Sequence, residues 1–159
     1  MKTIKYLVLF TAIAGGLVSC SKKGDDFNAE AQFTADTTAI RNYVKTNNIS
    51  VKKDGYGVFY QVIAPGTGSV SYTANTKVTV DYSGKVLGGS SNFDSSAGTP
   101  RTFTLGGLIP GWQIGIPYIQ KGGKIRLFIP SGYAYGNSAQ PSIPANSVLD
   151  FTIELTDIQ

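Results

Sequence analysis

Apolar and polar positions along this chain follow two periods. From Tyr56 onward apolar residues recur at every second position, and two short stretches instead repeat at helical spacing. Val58-Phe59-Tyr60-Gln61-Val62-Ile63 reads as a strand ended by the turn Pro65-Gly66-Thr67-Gly68. Residues 77–87 alternate around Val78, Val80 and Tyr82 until Gly88-Gly89 stops them. Residues 101–105, 124–130 and 148–158 give three more strands, and Gly122-Gly123 introduces the second of these. Helical spacing predicts a short helix over 36–49, with Asp36 or Thr37 as its cap and Ile40, Tyr43 and Val44 on one face. A second short helix is expected over 109–116, where Pro110 suits the first helical position and Pro117 ends or kinks the segment. Strands in succession without long intervening helices predict an antiparallel sheet with one face solvated and the other covered by that helix. The fold class is α+β, with one domain over 50–159 and no internal repeat.

The first twenty residues carry a different signal. Lys2 and Lys5 make a positive start, Tyr6 to Val18 is apolar, and Leu17-Val18-Ser19-Cys20 follows. The apolar run is too short for a spanning helix, which needs roughly 20 residues. Leu17-Val18-Ser19-Cys20 resembles the bacterial lipobox, which implies a signal peptide over 1–19 and a lipid-modified Cys20. A cleaved signal peptide with a chance cysteine is the plainer alternative. Cys20 is the single cysteine, so no intramolecular disulfide competes for it. Residues 20–35 are expected to be a flexible tether, and the lipid would hold the protein at a membrane outside the cytoplasm, in the cell envelope.

Composition narrows the chemistry. The chain has 42% hydrophobic and 15% charged residues, enough apolar content for a packed core. Removing Lys2 and Lys5 takes the formal charge from +4 to +2, and no basic run is interleaved with aromatics, so nucleic acid is not an expected partner. With no histidine anywhere, Ser-His-Asp and Cys-His arrangements are excluded and zinc sites are not expected. No phosphate loop, dinucleotide fingerprint or Gly-x-Ser-x-Gly motif is present. No metal or cofactor is called for. An enzyme built on this chain needs chemistry that requires little acid or base.

Four segments fall in a distinctive order: Val78-Thr79-Val80-Asp81-Tyr82-Ser83-Gly84, Asn92-Phe93-Asp94-Ser95-Ser96, Leu108-Ile109-Pro110-Gly111-Trp112, and Ile129-Pro130-Ser131-Gly132-Tyr133-Ala134-Tyr135-Gly136. With Ile143-Pro144-Ala145-Asn146 and Leu149-Asp150-Phe151, this set closely resembles the FKBP-type peptidyl-prolyl cis-trans isomerases. The resemblance implies a bent antiparallel sheet wrapped around the short helix near Pro110. It implies a shallow pocket floored by Trp112 and walled by Tyr82, Phe93, Asp94, Phe103, Leu108, Ile109, Tyr135, Ile143 and Phe151. Carried over from the family, the Ile109 N–H and the Tyr135 hydroxyl would meet ligand carbonyls, and Asp94 would add a polar contact. X-Pro-containing or unfolded polypeptides are the implied substrates, and macrolides the implied inhibitors.

Each residue has a plainer reading. Trp112, Tyr82 and Phe151 suit an ordinary core, and Asp94 suits a cap for the Ser95-Ser96 turn. Arg101 stands where many members of the family carry a pocket aromatic, so it removes apolar wall and adds a cation. That departure favours the competing expectation, a non-catalytic module that binds proline-containing segments. Asp81 is expected on the outer side of its strand. With so short an N-terminal helix, the protein is expected to be a monomer.

Overall fold

A computed structural model describes residues 27–159, and the expected signal segment, Cys20 and the start of the expected tether lie outside the described residues. The first element corrects the sequence reading. Helix α1 (Ala29–Thr46) begins well before Asp36, so residues 29–35, expected in the tether, are helical. Its cap is Asn28, whose side chain accepts the Ala31 N–H at 2.9 Å. Asp36 and Thr37, expected at the cap, are buried inside the helix.

Seven strands and a second helix follow: β1 (Lys52–Lys53), β2 (Phe59–Ala64), β3 (Lys77–Val86), β4 (Asp94–Ser95), β5 (Arg101–Thr104), α2 (Pro110–Gly115), β6 (Lys124–Ile129) and β7 (Leu149–Ile158). All strand pairs are antiparallel, in the order β1-β2-β6-β7-β3-β4. The five anticipated strands form within a residue or so of their expected ends. β1 and β4 went unpredicted because two residues carry no period. β5 pairs with Lys77–Val80 of β3, and β4 pairs with Ser83 and Gly84 farther along the same edge. One strand edge thus brings Asp94 and Arg101, from two separate strands, beside Tyr82. Pro117 ends α2 as expected, inside a 3₁₀ turn (Ile116–Tyr118).

Strict alternation sorts the side chains. Val78, Val80 and Tyr82 of β3 join Ile125, Leu127 and Ile129 of β6 and Phe151, Ile153 and Leu155 of β7 on the inner face, against α2. Burying each such side chain is worth about 1.5–3 kcal/mol. Gly111 and Gly115 let α2 lie close to β6, because a Cβ at either would overlap Ile129 or Leu127. On the outer face α1 closes a second, smaller core, in which Ile40 and Val44 pack on Phe59, Phe128 and Val148. The rest of that face is polar. There buried Asp150 is gripped by a two-pronged bond from Arg126, at 2.8 and 2.7 Å.

Candidate active site

The inner core is left uncovered at one end. Trp112, delivered by α2, is only 4% exposed and meets three aromatic rings edge-on. Its centroid lies 5.2 Å from that of Tyr82, 5.1 Å from Phe151 and 6.3 Å from Phe103, with interplanar angles of 80–90°. Phe93 stands edge-on to Phe151 at 5.5 Å. Phe151 pairs with Gly84 across β3 and β7, and a Cβ at Gly84 would overlap its ring, so the glycine makes room for this wall.

These rings bound a cavity of about 350 Å³ lined by Tyr82, Phe93, Asp94, Phe103, Gly107, Leu108, Ile109, Trp112, Tyr135 and Phe151. Nine of the ten residues expected in the pocket line it. Ile143 does not. The loop that carries it folds back through paired contacts between Gln140 and Ile143 and buries Ile143 in the inner core. Gly107 was not anticipated, since a residue without a side chain gives no apolar signal.

Hydrogen-bonding groups in the cavity are sparse and partly unspent. Among the described residues the buried Trp112 Nε1–H has no acceptor. Ile109 sits at the N-cap of α2, where its carbonyl accepts the Trp112 N–H at 2.9 Å. Among the described residues neither the Ile109 N–H nor the Tyr135 hydroxyl makes a hydrogen bond. Of these donors the Trp112 Nε1–H is the buried one, and a buried donor left unsatisfied costs about 1–3 kcal/mol.

The charged groups form a separate cluster at the rim. Tyr82 Oη donates to Asp94 Oδ2 at 2.8 Å, so Asp94 serves Tyr82 rather than capping the turn. Ser96 does the turn's work, accepting the Tyr82 N–H and donating to Asp81, which lies on the outer side of β3 as expected. Arg101 Nη1 donates to Tyr82 Oη at 3.2 Å and lies 3.7 Å from Asp94 Oδ1, with its guanidinium over the Tyr82 ring. Arg101 therefore lines no part of the cavity; it supports the wall from outside. Burial pushes the Tyr82 hydroxyl above its ordinary pKa, as do the bond to Asp94 and that carboxylate's charge, while Arg101 opposes the shift. The phenol stays neutral through the physiological range. Among the described residues no cluster of side chains suited to a metal forms.

A family model for the FKBP-type peptidyl-prolyl cis-trans isomerases matches residues 68–156, and this chain belongs to that family. The isomerase FkpA of Escherichia coli K12 is 44% identical over 111 residues, covering 69% of this chain and 40% of the relative. The crystal structure of FkpA from Escherichia coli superposes with a TM-score of 0.68 at 36% identity, covering 82% of this chain and 64% of that one. A peptidyl-prolyl cis-trans isomerase from Pseudomonas syringae pv. tomato gives 0.69 at 34% identity, covering 86% of this chain and 99% of that one. The chain thus spans less than half the length of its curated Escherichia coli relative.

Proposed function

We propose that this protein is a peptidyl-prolyl cis-trans isomerase that assists the folding of exported polypeptides. The observation that carries the reading is the aromatic cavity with unspent donors and no charge on its floor. Rotation about an X-Pro bond has a barrier of ~18–20 kcal/mol because amide resonance must be broken. The planar amide is the more charge-separated state, so desolvation among Phe93, Phe103, Trp112 and Phe151 disfavours it relative to the twisted transition state. The Ile109 N–H and the Tyr135 hydroxyl hold carbonyls of the substrate on either side of the turning bond. Asp94 keeps the Tyr82 wall in place and takes no proton. Lowering the barrier by about 5 kcal/mol accelerates exchange between a thousandfold and ten-thousandfold. No nucleophile or cofactor enters these steps.

The N-terminal pattern supports lipid attachment at Cys20 and a cell-envelope location, with the domain tethered beside a membrane. Mass spectrometry of the mature protein, and its release from membranes on Cys20→Ala, test that part. A second reading, a pocket that holds proline-containing segments without turnover, is favoured by the Arg101–Asp94 pair at the rim, which fixes one wall. Cis-trans exchange in short X-Pro peptides decides between them. The isomerase reading predicts acceleration that Trp112→Ala and Tyr135→Ala largely remove. A wild-type rate equal to the uncatalysed one, with peptide still bound, leaves the binding module.

A further inference from the structure

Helix α1 reaches the cavity through a short relay of hydrogen bonds. Asp36 is 3% exposed and lies 95 residues from its main partner, Ser131, which is 1% exposed. Asp36 Oδ2 accepts both the Ser131 N–H at 2.7 Å and the Ser131 Oγ–H at 2.6 Å, while Oδ1 accepts Gln32 Nε2 at 2.7 Å. The Ser131 carbonyl in turn accepts the N–H groups of Ala134 at 2.9 Å and Gly136 at 2.8 Å, the two amides that bracket Tyr135. Gly136 then accepts the Asn146 N–H at 2.8 Å. One helical turn before Asp36, Phe33 packs edge-on against Tyr133 at 6.3 Å. The 3₁₀ turn Ser131–Tyr133 is thus gripped from outside the domain's own sheet.

A buried carboxylate is costly, and aspartate is a poor helix former, so packing gives α1 no reason to hold one here. The carboxylate is instead spent on the turn. Tyr135 is 39% exposed, so its ring is not fixed by burial, and its hydroxyl makes no bond of its own. Its place is set by the backbone on either side of it, and that backbone hangs on Ser131. A misplacement of roughly 1 Å in a catalytic constellation costs on the order of a hundredfold in rate.

We propose that Asp36 is a positioning residue for the cavity: acting through Ser131 it fixes Tyr135, which makes helix α1 a working part of the site. The inference rests on the isomerase reading above. In the intact chain, Asp36→Ala is expected to lower kcat/KM per folded molecule about tenfold, chiefly through KM, and to weaken macrolide binding in proportion. Asp36→Asn keeps an acceptor for Ser131 and is expected to stay within about twofold of wild type. In a Tyr135→Ala background, Asp36→Ala should add less than about twofold, because the group it positions is gone.

A lower melting temperature with unchanged kcat/KM per folded molecule overturns the proposal. So does an equal loss in the Tyr135→Ala background. Should Asp36→Ala not fold, Ser131→Ala removes the hydroxyl bond alone and is expected to cost about threefold, with the same dependence on Tyr135; no change there overturns it equally. A wild-type chain that binds the macrolide but leaves exchange uncatalysed sinks the isomerase reading instead, and the same cycle read on macrolide affinity still decides the role of Asp36.

Discussion

Two of the hollows on the sheet are of similar size and opposite character. The inner one, about 350 Å³, is walled by aromatic rings and has its charges confined to the rim. The outer one, about 270 Å³, is lined by Asp81, Ser83, Asn92, Lys124, Thr152 and Glu154 among others. Volume therefore does not distinguish a site for an apolar imide from a wet groove; lining does. The outer hollow keeps an amide hydrated and cannot favour its twisted form. On the proposed reading the inner hollow strips water from the amide and offers donors to its carbonyls. On the outer face α1 covers the apolar cluster around Phe59 and Phe128, whereas the inner face leaves one end of its core open, and that opening is the cavity.

Substitutions on the two faces should separate stability from turnover. Trp112→Ala removes the floor and a large part of the inner core: a loss of about 3–5 kcal/mol in denaturant unfolding is expected, with at least a hundredfold loss of kcat/KM in peptide exchange. Phe128→Ala, in the core under α1, should cost a similar 3–5 kcal/mol in unfolding while leaving kcat/KM per folded molecule within about twofold. If Phe128→Ala lowers turnover as far as Trp112→Ala, the two faces are not separable. Tyr82→Phe deletes both rim hydrogen bonds of that hydroxyl, the one given to Asp94 and the longer one accepted from Arg101; with a net contribution of about 1 kcal/mol, a loss of about fivefold in kcat/KM is expected. Arg101→Leu should change kcat/KM for apolar peptides by less than about threefold, since Arg101 lies outside the lining. A larger gain would show that the cation itself opposes substrate.

The pH profile sharpens the contrast further. With no histidine in the chain and the Tyr82 pKa raised, kcat/KM is expected to be flat between about pH 6 and 9. It should fall only above pH 10, when Tyr82 loses the proton of its hydrogen bond to Asp94. Because the folded pKa is the higher one, the neutral phenol's contribution to stability is whole below pH 10 and is lost as pH rises through the folded value. Tyr72 serves as a control away from the cavity. Burial pushes it up to about 12, and its hydroxyl donates to the Ile119 carbonyl at 2.7 Å. Tyr72→Phe should alter alkaline unfolding between pH 10 and 12 and leave the activity profile unmoved.

The strands were legible because alternation is a local property: Val78, Val80 and Tyr82 announce both strand and buried face. The cavity was legible only through ordered motifs, since Trp112 taken alone is indistinguishable from a core tryptophan. Contacts that need two distant segments left no local trace. Arg101 looked like a gap in the wall because nothing in its own sequence shows that β4 and β5 share one edge of β3. Ile143 looked like wall because its loop's inward fold depends on its own backbone pairing. The start of α1 was missed because Ala29, Ala31, Phe33 and Ala35 carry no helical apolar period, and because Asn28 is as good a cap as Asp36. The partner of Asp36 lies in the turn before Tyr135, which no spacing within α1 foretells.

The central claim is that the aromatic cavity itself lowers the barrier. It is tested most directly by titrating an FKBP-directed macrolide against the wild-type chain, following Trp112 fluorescence and X-Pro exchange in the same samples. The account predicts that the two curves coincide, with catalysis vanishing as the cavity fills. Exchange that continues at full rate with Trp112 saturated would contradict it.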